Sequence, residues 1–314
     1  MAKNLTHSLL FSESIKNTLE NIQNKRVLYR FAHGDYDFRM TLKTRHFLIK
    51  IFFIFSIISI FLSAICFIEA FFFKGIIPVS DEIRFPHFLS KNPLTPFNPK
   101  ALLISIMVLV LSVPAILYIL LRFFKNIQSS EIFFFAGFLV SCLCEVMRLL
   151  TILFGLWQTF SNLLIFCGRI VLFGRILAPL SFISITLLSE PEQRQDLERN
   201  FSITVAVSTF FALLMPLNTA QILSTGMMSM GFFKTFNMLQ TVLVLLAFIS
   251  SIILSLKHEN SVYLYMGISF LVLILGYYTL LAADNYLFLA IGTATFFAGT
   301  IKFLLQLHKF YMWK

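Results

Sequence analysis

The chain has 314 residues, of which 58% are hydrophobic and 13% charged, with a formal net charge of +10. Soluble domains carry roughly 45–50% apolar and about 25% charged residues, so an ordinary soluble protein is excluded. Apolar runs exceed the ~18 residues of a membrane-crossing helix, and runs such as Ile51–Phe73 do not alternate as barrel strands must. The expected fold class is an all-α, polytopic transmembrane helix bundle of about eight spans, with both termini cytoplasmic. The excess of positive charge is concentrated in the first 50 residues, beside a span, where topogenesis and anionic lipid account for it. Nucleic acid is therefore not an expected partner.

Residues 1–45 form a polar cytoplasmic arm, and residues 46–314 form the transmembrane domain. The arm lacks the short basic region and small-residue cleavage pattern of a secretory signal, so the first span is expected to be retained. Ile15, Leu19, Ile22, Leu28 and Phe31 recur near helical spacing, with Lys16, Lys25, Arg26 and Arg30 between them. That spacing predicts an amphipathic helix, either lying on anionic lipid or docking a partner, or else a solvated leader on the bundle.

Span one is predicted over 47–73, followed by an outer segment, 74–100, with Pro78, Pro86, Pro93, Pro96 and Pro99. Span two covers 101–124 with Pro114 as a kink, and span three 131–156 with Trp157 as an interfacial anchor. Span four covers 162–188 and holds Pro179. The charged loop 189–200 leads to span five, 201–222, interrupted at Pro216. A Met- and Gly-rich link, 223–234, precedes span six at 236–256. Spans seven (261–283) and eight (286–307) are joined by Asp284-Asn285. Ala294, Thr295, Ala298 and Gly299 predict close helix packing in span eight.

Orientation follows from basic residues in the connections. Seventeen fall on the cytoplasmic side: Lys3, Lys16, Lys25, Arg26, Arg30, Arg39, Lys43, Arg45, Lys50, Arg122, Lys125, Arg194, Arg199, Lys257, Lys302, Lys309 and Lys314. Five fall on the other: Lys74, Arg84, Lys91, Lys100 and Lys234. The expected location is the plasma or inner membrane.

Spans three and four carry Glu145, Arg148, Arg169 and Arg175 into the apolar layer. Each such charge costs about 2.5–3.5 kcal/mol to insert, so it must pair or line a wet cavity. Counting inward at 1.5 Å per residue puts Arg148 and Arg169 at roughly 12 Å, Glu145 at roughly 16 Å and Arg175 at roughly 21 Å. Glu145 can thus reach either arginine of span four, and it shares a face with Arg148. Arg169 and Arg175, six residues apart, are turned about 120° from each other. They can act together only if span four unwinds at Gly168, Gly174 or Pro179.

Three arginines against one glutamate leave positive charge in excess, and the only other acid near a span interior is Glu69. The functional reading is a site for an anionic ligand, substrate or lipid head group, made by Glu145, Arg148, Arg169 and Arg175. The structural alternative is an ion-pair network with Arg148 and Arg175 satisfied by helix-end carbonyls, polar side chains and water.

No catalytic residue, metal site or cofactor is predicted. The histidines, at 7, 33, 46, 87, 258 and 308, lie in tails, loops or span ends without metal-ligand spacing. Cys66, Cys142, Cys144 and Cys167 lie within spans and read as packing residues. The 39 phenylalanines read as lipid-facing and packing bulk. Two functions compete. One is a membrane-embedded sensor or interaction module, with a cytoplasmic protein partner at residues 1–45 or 189–200. The other is a transporter of an anionic solute or lipid, favoured by broken spans at Pro114, Pro179 and Pro216. An enzyme acting on a lipid phosphate lacks a recognisable base or metal site.

Overall fold

A computed structural model describes residues 42–72, 98–124, 129–153, 161–187, 197–223 and 225–312. The predicted helix at 15–31, Trp157, nearly all of the outer segment and residues 189–196 of the charged loop lie outside these residues.

Among the described residues, eight helical stretches are long and apolar enough to cross a membrane. The protein is an all-α, multi-pass bundle. Its helices are α1 (Leu42–Phe72), α2 (Pro99–Phe123), α3 (Ser130–Cys144), α4 (Val146–Leu153), α5 (Ser161–Leu187) and α6 (Leu197–Leu214), followed by α7 (Phe233–Lys257), α8 (Ser261–Leu281) and α9 (Tyr286–Met312). Helix is the form these sequences must take, because a span in lipid has to satisfy its own backbone groups. Hydroxyls inside the spans follow the same rule. Ser56, Ser63, Ser105 and Ser112 each donate to a carbonyl three residues back.

Polar caps start several helices. Asn98 accepts from the Lys100 amide, with Pro99 opening α2, and Ser129 accepts from Ile132. Asn260 accepts from Val262 and Asn285 from Phe288. Each removes one of the orphan donors of a helix start.

Three expectations are corrected. Pro114 and Pro179 lie inside continuous helices, α2 and α5, so neither breaks its span. Span five ends earlier than expected, at Leu214, and Pro216 lies beyond it. From there the chain forms an antiparallel hairpin of β1 (Leu217–Ile222) and β2 (Met228–Met230), with Leu217 opposite Met230 and Asn218 opposite Ser229. The Met- and Gly-rich link is thus half of a folded element. Its turn is closed by Leu223 N–H to the Met227 carbonyl at 2.7 Å, and Gly226 has φ of 69°, where a Cβ would be strained.

Span three also departs from a plain helix. It is divided at Glu145, whose N–H turns toward the Cys142 and Leu143 carbonyls, while Arg148 N–H reaches the Glu145 carbonyl at 3.1 Å. The Cys142–Glu145 and Glu145–Arg148 bonds, each i to i+3, form a tightened turn of 3₁₀ type at the charged residue itself.

The central helix is α5, which packs against α3, α4, α6, α7, α8 and β1. Gly174 lets it approach α3: a Cβ there would stand 2.8 Å from the Ser141 carbonyl oxygen. At Gly299 a Cβ would stand 2.6 Å from Leu273 Cα, so α8 and α9 touch backbone to backbone where the small-residue series lies. The main core is aromatic. Phe182 stacks on Phe270 at 4.6 Å, Phe135 lies 4.8 Å from Phe303, and Phe138 meets Phe270 edge-on at 5.3 Å. All five are fully buried. Large apolar side chains at Phe61, Phe210, Leu213, Leu245 and Ile253 are exposed, as a surface solvated by acyl chains requires.

Candidate functional site

The tightened turn brings Glu145 and Arg148 to one side of span three. Arg148 Nη1 donates to Glu145 Oε2 at 2.9 Å, and both side chains are buried. From α5, Arg175 Nε donates to Glu145 Oε1 at 3.2 Å. From α8, the Tyr277 hydroxyl donates to the same oxygen at 3.4 Å. One carboxylate thus joins three segments, and two guanidinium groups face it.

The remaining donors of Arg148 go to backbone. Its Nε donates to the Thr225 carbonyl at 2.7 Å, and Nη2 reaches both that carbonyl and, at 3.4 Å, that of Leu281. Thr225 lies in the hairpin turn and Leu281 ends α8. Thr151 adds a second tie, donating to the Gly226 carbonyl at 3.2 Å. The hairpin is therefore clasped onto the ionic cluster through its backbone.

Arg169 does not join the cluster. It donates to the carbonyls of Ala212 and Leu213, in the last turn of α6. Those carbonyls have no helical partner and carry the negative end of the helix dipole, so a guanidinium is well matched to them. The 120° rotation between Arg169 and Arg175 sends one to α6 and the other to Glu145. Because α5 stays helical, the two cannot converge. Of the four predicted residues, Glu145, Arg148 and Arg175 meet, and Arg169 stands apart.

Sequence reasoning missed several participants. Tyr277 was one of four tyrosines in an apolar helix, and the polar tip of a buried Tyr does need a partner. Gln240 Nε2 donates to the Arg175 carbonyl at 2.8 Å, tying α7 to α5 beside the cluster. Thr225 gave no signal at all, because its backbone makes the contact.

A second buried acid was also missed. Glu131, at the other end of α3, is fully buried and accepts from Ser129 at 2.6 Å, Ser130 at 3.2 Å and Tyr311 at 2.7 Å. Its position at a predicted span end suggested exposure, but α9 covers it. The Glu69 side chain lies outside the described residues.

Among the described residues, no three His, Cys, Asp or Glu side chains gather to hold a metal ion. Cys66, Cys142 and Cys167 are buried, and Cys144 is partly buried. No known family model matches the chain, and no curated protein or solved structure is significantly similar to it.

Chemically, the cluster can hold charge and transmit position. Two buried guanidiniums against one carboxylate leave one net positive charge. Arg148 is fully engaged by protein groups. Arg175 is not: its Nη2 is buried without a hydrogen-bond partner.

Proposed function

We propose that this multi-pass membrane protein is a membrane-embedded sensor or interaction module with an anion- or lipid-related site at Glu145, Arg148 and Arg175. The observation that carries this reading is the Arg148 clasp, which holds the hairpin turn at Thr225 and the buried carboxylate in one hydrogen-bonded unit. A change of charge or ligation at Glu145 or Arg175 alters how Arg148 is shared, and the hairpin is the element that responds. The tightened turn at Glu145 offers a place for span three to adjust, since mid-helix turns of this type often mark hinges. In this proposal the hairpin faces outward, both termini are cytoplasmic, and the response passes to a cytoplasmic partner through residues 1–45 or 189–200. The membrane is the plasma or inner membrane, with its lipids in contact.

Transport of an anionic solute or lipid has less behind it. Discontinuous helices at a midplane site are its usual hallmark; span three is divided at Glu145, but the helices through Pro114 and Pro179, the breaks expected of a transporter, are continuous.

Hydrogen exchange on the purified protein tests the sensor reading. Arg148→Gln should speed exchange of residues 215–232 about tenfold or more, a loss of ~1.4 kcal/mol or greater, while α8 and α9 keep their protection. In wild type, a bound anion or lipid should slow exchange in the same segment. A hairpin indifferent to both, together with solute flux in proteoliposomes, would shift the assignment to transport.

A further inference from the structure

Beside the ionic cluster are two buried donors with no protein acceptor: Arg175 Nη2 and the Tyr278 hydroxyl. Arg175 sits on α5 and bonds Glu145, and Tyr278 sits on α8 beside Tyr277, which bonds the same carboxylate oxygen. Tyr278 is the neighbour of Tyr277, the two rings being 5.6 Å apart. The donors therefore flank the same carboxylate-bearing cluster from two helices. Leaving a guanidinium N–H and a phenol unpaired away from water is costly, and a native fold that does so twice in one neighbourhood calls for an explanation such as a bound ion.

Charge narrows the class of ligand. Glu145 neutralises only one of the two guanidiniums, so the cluster favours one further negative charge. Both orphan groups can donate, and a guanidinium suits a planar or tetrahedral oxyanion that accepts several bonds at once. A neutral solute would leave the charge uncompensated, and a cation would be repelled. Both donor atoms are shielded from solvent, so the bundle must open locally to admit the ligand. Arg175 keeps 9% exposure and Tyr278 is only partly buried. Tyr278 also lies three residues before the end of α8, about one helical turn from the side where the hairpin is clasped.

We propose that Arg175 Nη2 and the Tyr278 hydroxyl bind a singly charged oxyanion, either free phosphate or the phosphodiester of an anionic lipid head group. This deepens the sensor reading, on which it rests: the ligand joins the one arginine of the cluster that has donor capacity left, and Glu145 passes the change to Arg148 and the hairpin. Arg169 takes no part, since its guanidinium is committed to the end of α6.

The test uses the full chain in a neutral detergent, with unfolding followed by a thiol-reactive dye, because Cys66, Cys142 and Cys167 are buried when folded. The probes are inorganic phosphate at fixed ionic strength in gluconate, and phosphatidylglycerol against phosphatidylcholine. Phosphate or phosphatidylglycerol should raise the wild-type melting temperature, and the arm that does so identifies the source. Tyr278→Phe should melt like wild type without ligand, because the lost hydroxyl has no protein partner. Its affinity for the active probe should fall about tenfold, as loss of a hydrogen bond to a charged group does. Arg175→Gln should abolish the stabilisation, while Glu145 keeps Arg148 and Tyr277.

A wild type that melts identically with every probe overturns the proposal and leaves water as the partner of the two donors. Stabilisation that survives in both variants also overturns it and moves the anion elsewhere. The sensor reading is judged apart from this, by hairpin exchange. If Arg175→Gln does not fold, Tyr278→Phe decides alone.

Discussion

The two halves of the core are built from the same helices on opposite physical principles. In one half, α3, α5, α8 and α9 contribute Phe135, Phe138, Phe182, Phe270 and Phe303, whose rings interlock without a polar atom. In the other, α3, α4, α5 and α8 meet through Glu145, Arg148, Arg175 and Tyr277. Tyr277 belongs to both: its ring lies edge-on to Phe138 at 5.6 Å, and its hydroxyl bonds Glu145. Ring packing is short-ranged and tolerates many neighbours, so the aromatic half gives adhesion. Hydrogen bonds to a buried carboxylate are directional and few, so the ionic half fixes which helix faces which, and it clasps the hairpin turn, whose methionines also pack on Val171, Leu172 and Leu164. In lipid, where apolar association gains little from water release, close packing and such polar contacts become the main specific forces.

Three substitutions test that division, in descending order of expected effect. Glu145→Gln removes the charge that two buried guanidiniums share, and stability in detergent should fall by about 3–5 kcal/mol. Adding Arg175→Gln should restore part of the loss, with a coupling of roughly 0.5–3 kcal/mol in a double-mutant cycle. Strictly additive losses would mean that the carboxylate is not the junction of the ionic half.

Phe270→Leu attacks the other half. Phe270 is fully buried and makes ring contacts with Phe135, Phe138, Phe182 and Phe303. The loss should be about 1–3 kcal/mol, the worth of two or three ring pairs. Hairpin hydrogen exchange should stay close to wild type. Loosening of residues 215–232 as great as in Glu145→Gln would show that the two halves are not mechanically distinct.

The smallest effect belongs to the arginine outside both halves. Arg169→Gln strips the guanidinium from the α6 carbonyls and should cost about 0.3–2 kcal/mol, the range for a cation at a helix C-terminus. Faster exchange should be confined to the last turn of α6 and the start of β1. Loss of anion-dependent stabilisation in this variant would bring Arg169 back into the site.

Much of the scaffold was legible because hydropathy and helix length are local properties. Spans predicted at 261–283 and 286–307 appear as Ser261–Leu281 and Tyr286–Met312. The shared face of Glu145 and Arg148 was equally local, being a matter of i and i+3 on one turn, although their ion pair was not expected. The end of span five was misplaced because Leu217, Ala220 and Ile222 carry apolar residues past Pro216, although Asn218, Thr219 and Gln221 interrupt them. Only its pairing with Met228–Met230 makes it a strand.

The choice between Arg169 and Arg175 as partner of Glu145 was beyond the sequence. Depth along the helix allowed both, and the rotation of α5 against α3, set by contacts such as Gly174 on Ser141, selected one. The burial of Glu131 under Tyr311 depends in the same way on how α9 packs against α3. What holds Arg148 was less accessible still, since the Thr225 and Leu281 acceptors are main-chain carbonyls, which every residue possesses. Composition and periodicity determined that charges enter the membrane and roughly how deep. Tertiary packing decided which of them meet, because direction around a helix and the placement of backbone carbonyls exist only once the helices are packed.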